Sequence, residues 1–480
     1  MMKLDIRDEN KRWRYLLAFM AAALLFYYML APVAPRRWAA LYHSYGKVAI
    51  AAMIALYFFK RGFSGVLEVK LVIFYTVWVY ITRLLCGDYY LEQDFDLVLS
   101  RLLCCVFFTM GFVLEPDERE KMLDVLIAVF CAFYFITALL GLYTCILDTY
   151  FYLPPEGVIF GHDENSIYGS HFLMAWETNR TLSAVWFYLA WCMMAYEFFH
   201  CRKKLWRFPI VLAWITFHLT LAFCYCRSIQ LAVSLSTALL LILLGMKRLK
   251  VKEKIWKALL LVLIAVSALF ITYKSFEVVL NVTADLYNAS ESSDPSDNSS
   301  GTGERDFSDS RDLKESVSSG SGRLVIYSAT LPALRQEPLR LLTGKRTGEV
   351  MSVVNQYLLE NGLRDPAFPM QHMHNYLLQT LMLTGLVGFL PVLAFSVLLV
   401  IRMIRLFFSS AVSLPVKSLT LPLSGIMVYG MFETVIFTNC VDLRSMGTDF
   451  RELAFFLLAG FFLAYYYEAF PGKKKQQKNN

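Results

Sequence analysis

The stretch Gln371–Gly388, QHMHNYLLQTLMLTGLVG, sets two histidines and an asparagine at the mouth of a long apolar run that contains two glycines three apart. At ~100° per residue, the positions four, seven, eleven and fourteen residues after His374 return to within about 40° of its direction. They are Leu378, Leu381, Gly385 and Gly388. The pattern predicts a helix continuing from His374, with both glycines below the imidazole on a face that a neighbouring helix can approach closely. Asn375 lies ~100° round, available to a hydroxyl or to a neighbouring imidazole. An imidazole at such a mouth is also an ordinary interfacial anchor, and on this stretch alone the two readings stand level.

Composition supplies the setting. With 57% apolar residues, 15% aromatics and 18% charged residues over 480 positions, the chain has too little polar surface for a water-soluble globule. Apolar runs long enough to cross ~30 Å of hydrocarbon recur along its whole length. They fall near 15–34, 46–60, 67–86, 96–115, 122–147, 181–200, 208–224, 229–246, 255–275, 376–401, 413–437 and 453–469, which gives about twelve transmembrane helices in an all-α polytopic protein. The basic clusters KRWR, FFKRG, HCRKKLWR, MKRLKVKEK, RMIRLF and GKKKQQK fall on alternate connections and place both termini in the cytoplasm. The net charge of +7 is absorbed by that asymmetry and calls for no nucleic-acid partner. The first span lacks an Ala-x-Ala-like ending, so no cleavable signal is expected.

The organisation is therefore nine spans over 1–275 with an outward loop at 148–180, a large outward loop at 276–375, and three spans over 376–480 ending in a basic tail. Residues 289–322 form a Ser/Asp/Gly tract that cannot bury enough surface to offset its ordering entropy, and disorder is expected there. After Arg323 the pattern turns helical: Leu324, Tyr327, Leu331 and Leu334, then Met351, Val354, Tyr357 and Leu358, predict short helices on the outer surface. Pro332 is placed to kink or end the first of them. Asn281, Asn288 and Asn298 begin glycosylation-type triplets that a Ser-rich tract generates by chance.

The ten cysteines show no framework spacing; Cys104, Cys105, Cys131 and Cys192 read as small apolar fillers, and Cys224-x-Cys226 lacks a second pair to hold zinc. No metal site and no cofactor are expected. QDFD at 93–96 offers Asp94 and Asp96 in a short outward loop as a weak metal-binding alternative.

HNYLLQTLMLTGLVG resembles the signature of the O-antigen ligase and O-antigen polymerase superfamily: His, a polar residue, nine residues, Gly, two residues, Gly. His374, Asn375, Gly385 and Gly388 fill the fixed positions. SGRLVIYSATLPAL is similar to the family's Gly-Arg segment with an aromatic four residues on, here Arg323 and Tyr327 where tryptophan is commoner. CYCRSIQLAVSL resembles its short outer turn bearing an arginine, with Cys226-Arg227-Ser228 where Ser-Arg-Gly is usual. The resemblance covers 180–400; earlier spans match in hydropathy only.

What the resemblance implies is transfer of a glycan from an undecaprenyl-diphosphate carrier to an acceptor hydroxyl on a glycan or glycolipid. This would occur at the outer face of a bacterial cytoplasmic membrane, in a membrane-glycosyltransferase C-type (GT-C-like) fold, with inversion and without metal. Charge growing on the departing diphosphate calls for fixed cations, and arginine pairs bidentately with phosphate. Arg227 and Arg323 are the candidates for that role, with Arg180 behind them, while Arg83 and Arg101 read better as snorkelling to lipid headgroups. His374 is the candidate base for the acceptor hydroxyl, with His372 as understudy and Asn375 and Tyr327 as substrate contacts. A flippase for the lipid-linked glycan, with Arg101, Lys70 or Glu197 lining a passage, is the competing reading, and a non-catalytic envelope scaffold is a third.

Overall fold

The computed structural model describes residues 6–30, 47–61, 66–86, 91–147, 151–153, 158–163, 172–175, 180–249, 254–291, 323–335, 338–344, 347–360, 373–434, 436–437 and 446–471. His372, Asn298 and the tract from 292 to 322 lie outside them. The chain forms two compact units.

The first unit comprises Met1–Leu126, Val317–Val412 and Met427–Asn480. Its helices are α1 (Ile6–Leu30), α2 (Lys47–Arg61), α3 (Leu67–Cys86), α4 (Leu91–Val113) and the start of α5 (Pro116–Leu147). The second unit, Ile127–Ser316 and Ser413–Ile426, takes the rest of α5 and a small sheet of β1 (Phe151–Leu153), β2 (Val158–Asp163) and β3 (Phe172–Ala175). It continues with α6 (Arg180–His200), α7 (Arg207–Cys224), α8 (Arg227–Arg248) and α9 (Lys254–Glu291). Back in the first unit come α10 (Arg323–Arg335), α11 (Pro338–Thr343), α12 (Thr347–Glu360) and α13 (Tyr376–Phe408). The chain then supplies α14 (Leu414–Ser418) and most of α15 (Thr420–Gly430) to the second unit, and α16 (Met446–Ala469) to the first.

Six of these helices are long and apolar enough to cross a membrane: Pro116–Ile146, Lys204–Cys224, Arg227–Lys247, Ile255–Val282, Tyr376–Phe408 and Arg451–Ala469. Four features differ from what the sequence predicts. The 148–180 loop carries an antiparallel sheet of order β1-β2-β3, with Phe151 opposite Phe160 and a register shift at Gly161/His162. Helix α9 continues past 275 to Glu291, because VVLNVTADLY holds no helix breaker. The run 413–437 is not one span: it breaks at Leu419, ends its helix at Gly430 and turns irregularly through Met431–Thr434. Asp94 and Asp96 fall within α4 and not in a loop.

In the first unit, α4 and α16 meet backbone to backbone, since a Cβ on Gly111 or Gly460 would overlap the carbonyl of the facing helix. Between the same helices Arg101, 3% exposed, forms an ion pair with Glu452. Arg101 therefore neither snorkels nor faces a diphosphate, and it does not line an open passage. In the second unit Tyr188 fixes three elements, with its hydroxyl 2.8 Å from Ser236 Oγ and donating to Leu421 O at 2.8 Å. Cys104, Cys105, Cys131 and Cys192 are buried, as apolar fillers should be, and Cys224 and Cys226 are buried as well.

Candidate functional site

The helices expected after Arg323 form, and they pack on the start of α13. Ile326, Ala329 and Leu334 of α10, Val354 and Leu358 of α12, and Met373, Met382 and Leu383 share one buried cluster. Helix α10 runs through Pro332 to Arg335. This packing holds the two residues before α13 in place.

His374 is not on the helix. Its φ of 49° is left-handed, and α13 begins at Tyr376 with Asn375 as N-cap. The Asn375 side-chain oxygen accepts from Leu377 N and Leu378 N, both at 3.0 Å, satisfying two of the helix's orphan donors. Its amide nitrogen donates to Met431 O at 2.9 Å. Within the protein Asn375 is thus both a cap on α13 and a strap to the Met431 turn. Tyr327 acts alongside it: its hydroxyl lies 2.8 Å from His374 O and 3.1 Å from Met431 O. Gln379 Oε1 accepts from Met373 N at 3.0 Å.

These contacts set the His374 ring against Glu433, with Nδ1 2.9 Å from Oε2 and side-chain exposures of 23% and 13%. Glu433 was not among the residues singled out from sequence, although a carboxylate inside an apolar run signals function. The irregular turn that carries it is tolerated at the membrane because protein groups satisfy its backbone: Met431 O takes Tyr327 and Asn375, and Phe437 O takes Tyr75 at 3.4 Å.

The two signature glycines do separate work. Gly385 has φ 63° and ψ −170°, a conformation open essentially to glycine alone, and breaks α13 there. The expected single face running from His374 to Gly388 therefore does not exist. Close approach does occur, but to α11: a Cβ on Gly385 would overlap Leu342 O, and one on Gly344 (φ 86°) would overlap Leu383 O. At the break, Trp78 of α3 donates to Thr384 O at 2.8 Å. Gly388 faces Trp78 and Thr384 side chains.

Arg323 opens α10 and Arg180 opens α6. In the second unit, Tyr225 takes a left-handed C-terminal position after α7 (φ 44°), and Arg227 becomes the first residue of α8. The guanidinium of Arg227 lies 5.7 Å from the Tyr225 ring centre. Arg83 is half-buried in the last turn of α3.

A polytopic helical membrane protein is defined by these spans, with a loop-borne histidine–carboxylate pair held over a broken span helix. Residues 210–393, less than half of the chain, match the O-antigen ligase family model. The match contains Arg227, Arg323, Tyr327, His374, Asn375, Gly385 and Gly388; Arg180 and Glu433 lie outside it. No curated protein matches the chain.

Proposed function

We propose that the protein transfers an oligosaccharide from undecaprenyl diphosphate to an acceptor hydroxyl at the outer face of a bacterial cytoplasmic membrane. It acts as an O-antigen-type ligase or a repeat-unit polymerase, with about twelve spans, a GT-C-like fold and both termini cytoplasmic. The observation that carries this is the contact of His374, which lies within the family-matched stretch, with Glu433, which lies beyond it. An imidazole that donates Nδ1–H to a carboxylate presents Nε2 as its basic nitrogen, the tautomer needed to take a proton from an attacking hydroxyl. The carboxylate also stabilises the imidazolium that forms, the role it plays in other histidine–acid pairs. Displacement at the anomeric carbon then proceeds in one step and inverts it, and the diphosphate leaves carrying the negative charge.

Arg323 is proposed to meet that charge from the first turn of α10, one helical turn before Tyr327. Arg180 and Arg227 belong to the second unit, and their part in holding the carrier rests on the family resemblance. His372 stays as an accessory substrate contact on the same terms. Tyr327 and Asn375 act by positioning, since their polar atoms hold His374 and the Met431 turn.

The test is release of undecaprenyl diphosphate and formation of a glycosidic bond by purified protein, with donor supplied on the accessible leaflet and chelator present. Transfer lost in His374→Ala supports the proposal. Unchanged transfer in that variant removes the base, and no transfer with any acceptor favours a flippase.

A further inference from the structure

Helix α11 belongs to the outer loop, yet its contacts lie partway down the spans. Two helices act as rulers. Helices α3 and α13 run antiparallel: at one end Arg402 Nε reaches Glu68 Oε1 at 3.3 Å, and further along Trp78 Nε1 reaches Thr384 O at 2.8 Å. Beyond Trp78, α3 continues through Cys86, eight residues, or about 12 Å at ~1.5 Å per residue. That continuation is apolar but for Thr82 and the half-buried Arg83 in its last turn, and it turns Ile81, Leu84 and Leu85 outward, exposed by 37%, 53% and 59%. With α3 taken as the span that the apolar run 67–86 predicts, and packed along the span-length α13, these exposed side chains face hydrocarbon, so the lipid layer extends past the level of Thr384 toward the face that carries the loop.

Thr384 is where α11 ends. Gly344 packs its backbone against Leu383 and Thr384, and Gly385 packs against Leu342 and Thr343, so the two backbones touch with no side chain between them. Gly344 N–H closes the helix on Arg340 O at 2.7 Å, which fixes how α11 presents its sides. One side carries Leu341, packed against the buried cluster to which Leu383 belongs. The other carries Leu339 and Leu342, three residues apart and exposed by 76% and 49%.

We infer that α11 dips into the outer leaflet and that Leu339 and Leu342 are seated among the acyl chains of bilayer lipids. Depth decides the occupant: at the level of Thr384 the neighbouring span still shows leucine to its surroundings, and acyl chains fill that layer. The loop is then pinned to the membrane at a fixed height, and with it the segment that holds Tyr327, His374 and Glu433. A substrate carried on a lipid presents its reacting bond at a set distance from the hydrocarbon, so a pinned loop meets it without searching. The seating of α11 requires only that the chain spans a membrane and is independent of glycan transfer.

The experiment places p-benzoylphenylalanine singly at Leu339, Leu342, Arg335 and Glu360 of the full-length protein. Arg335 and Glu360 are exposed positions at the ends of α10 and α12. Each protein is reconstituted in nanodiscs of phosphatidylethanolamine and phosphatidylglycerol, with no polyprenyl lipid, irradiated and weighed by intact mass spectrometry. Thermal unfolding of each variant verifies that the fold is kept. The expected result is phospholipid adducts at 339 and 342 at least several-fold above those at 335 and 360. Four results overturn the inference: no phospholipid adduct at 339 and 342, equal adducts at all four positions, adducts only after polyprenyl phosphate is added, which makes the face a carrier site, or cross-linked protein dimers, which make it a contact between copies.

Discussion

Replacing Gly385 by alanine tests whether the break in α13 is structural necessity. The native φ of 63° with ψ of −170° costs a side-chain-bearing residue about 1–3 kcal/mol. The added Cβ also lands on the Leu342 carbonyl, which is backbone and sits beside a glycine with its own positive φ, so neither partner can swing aside. Overpacking of that kind adds about 1–3 kcal/mol, for a total near 4 kcal/mol. Gly388→Ala is the matched control. Its Cβ meets the Thr384 hydroxyl and the edge of Trp78, which are side chains, and alanine recovers about 1 kcal/mol of helix propensity, leaving a net loss of about 1 kcal/mol. Apparent unfolding midpoints of both variants in one lipid nanodisc, followed by intrinsic fluorescence, should fall in the order wild type, Gly388→Ala, Gly385→Ala, with the larger gap between the last two. A Gly385→Ala protein as stable as wild type would refute the reasoning, as would equal losses in the two variants.

Other consequences are as direct. Asn375→Asp keeps an oxygen for Leu377 and Leu378 but loses the donor to Met431 O, whereas Asn375→Ala loses both; the alanine variant should unfold earlier by about 0.5–2 kcal/mol relative to aspartate, and thermal melts read the difference. Glu452→Leu leaves Arg101 as an uncompensated buried charge and should cost about 3–5 kcal/mol, read as loss of folded protein on size exclusion, while Arg101→Leu with Glu452→Leu should recover most of it. Recovered transfer activity in that double variant would also show that the pair serves packing and not passage. Glu433→Gln should keep the fold and lower kcat by about 10²-fold or more with KM little changed, since it loses the carboxylate that orients His374 and steadies its charge.

Much of this architecture is legible in residue types. The apolar runs of the six span-length helices, the helical spacing at 324–334 and 351–358, and the His-Asn-x9-Gly-x2-Gly motif point to elements that exist. The geometry inside the motif is not legible, because periodicity assumes one unbroken helix. A left-handed His374 and a glycine-only Gly385 leave the letters unchanged while ending the period at both places. Likewise 413–437 reads as a span by hydropathy, and its end at Gly430 depends on Tyr327 and Asn375 reaching Met431 O from far along the chain. Glu433 was hidden for the same reason: it lies 59 residues from the histidine it meets. Arg101 was misplaced because charge rules assign a side of the membrane but not a partner.

The decisive measurement is single-turnover transfer from a defined undecaprenyl-diphosphate oligosaccharide by purified wild type, His374→Ala, Glu433→Gln and Arg323→Ala, with and without chelator, reading released carrier and glycan chain length. Chelator-indifferent release by wild type, a loss of about 10²–10⁴-fold in His374→Ala and a loss of about 10²-fold or more in Glu433→Gln are expected. Lengthened chains would identify a polymerase, and a single addition a ligase. Near-normal transfer by His374→Ala would contradict the histidine–carboxylate site outright.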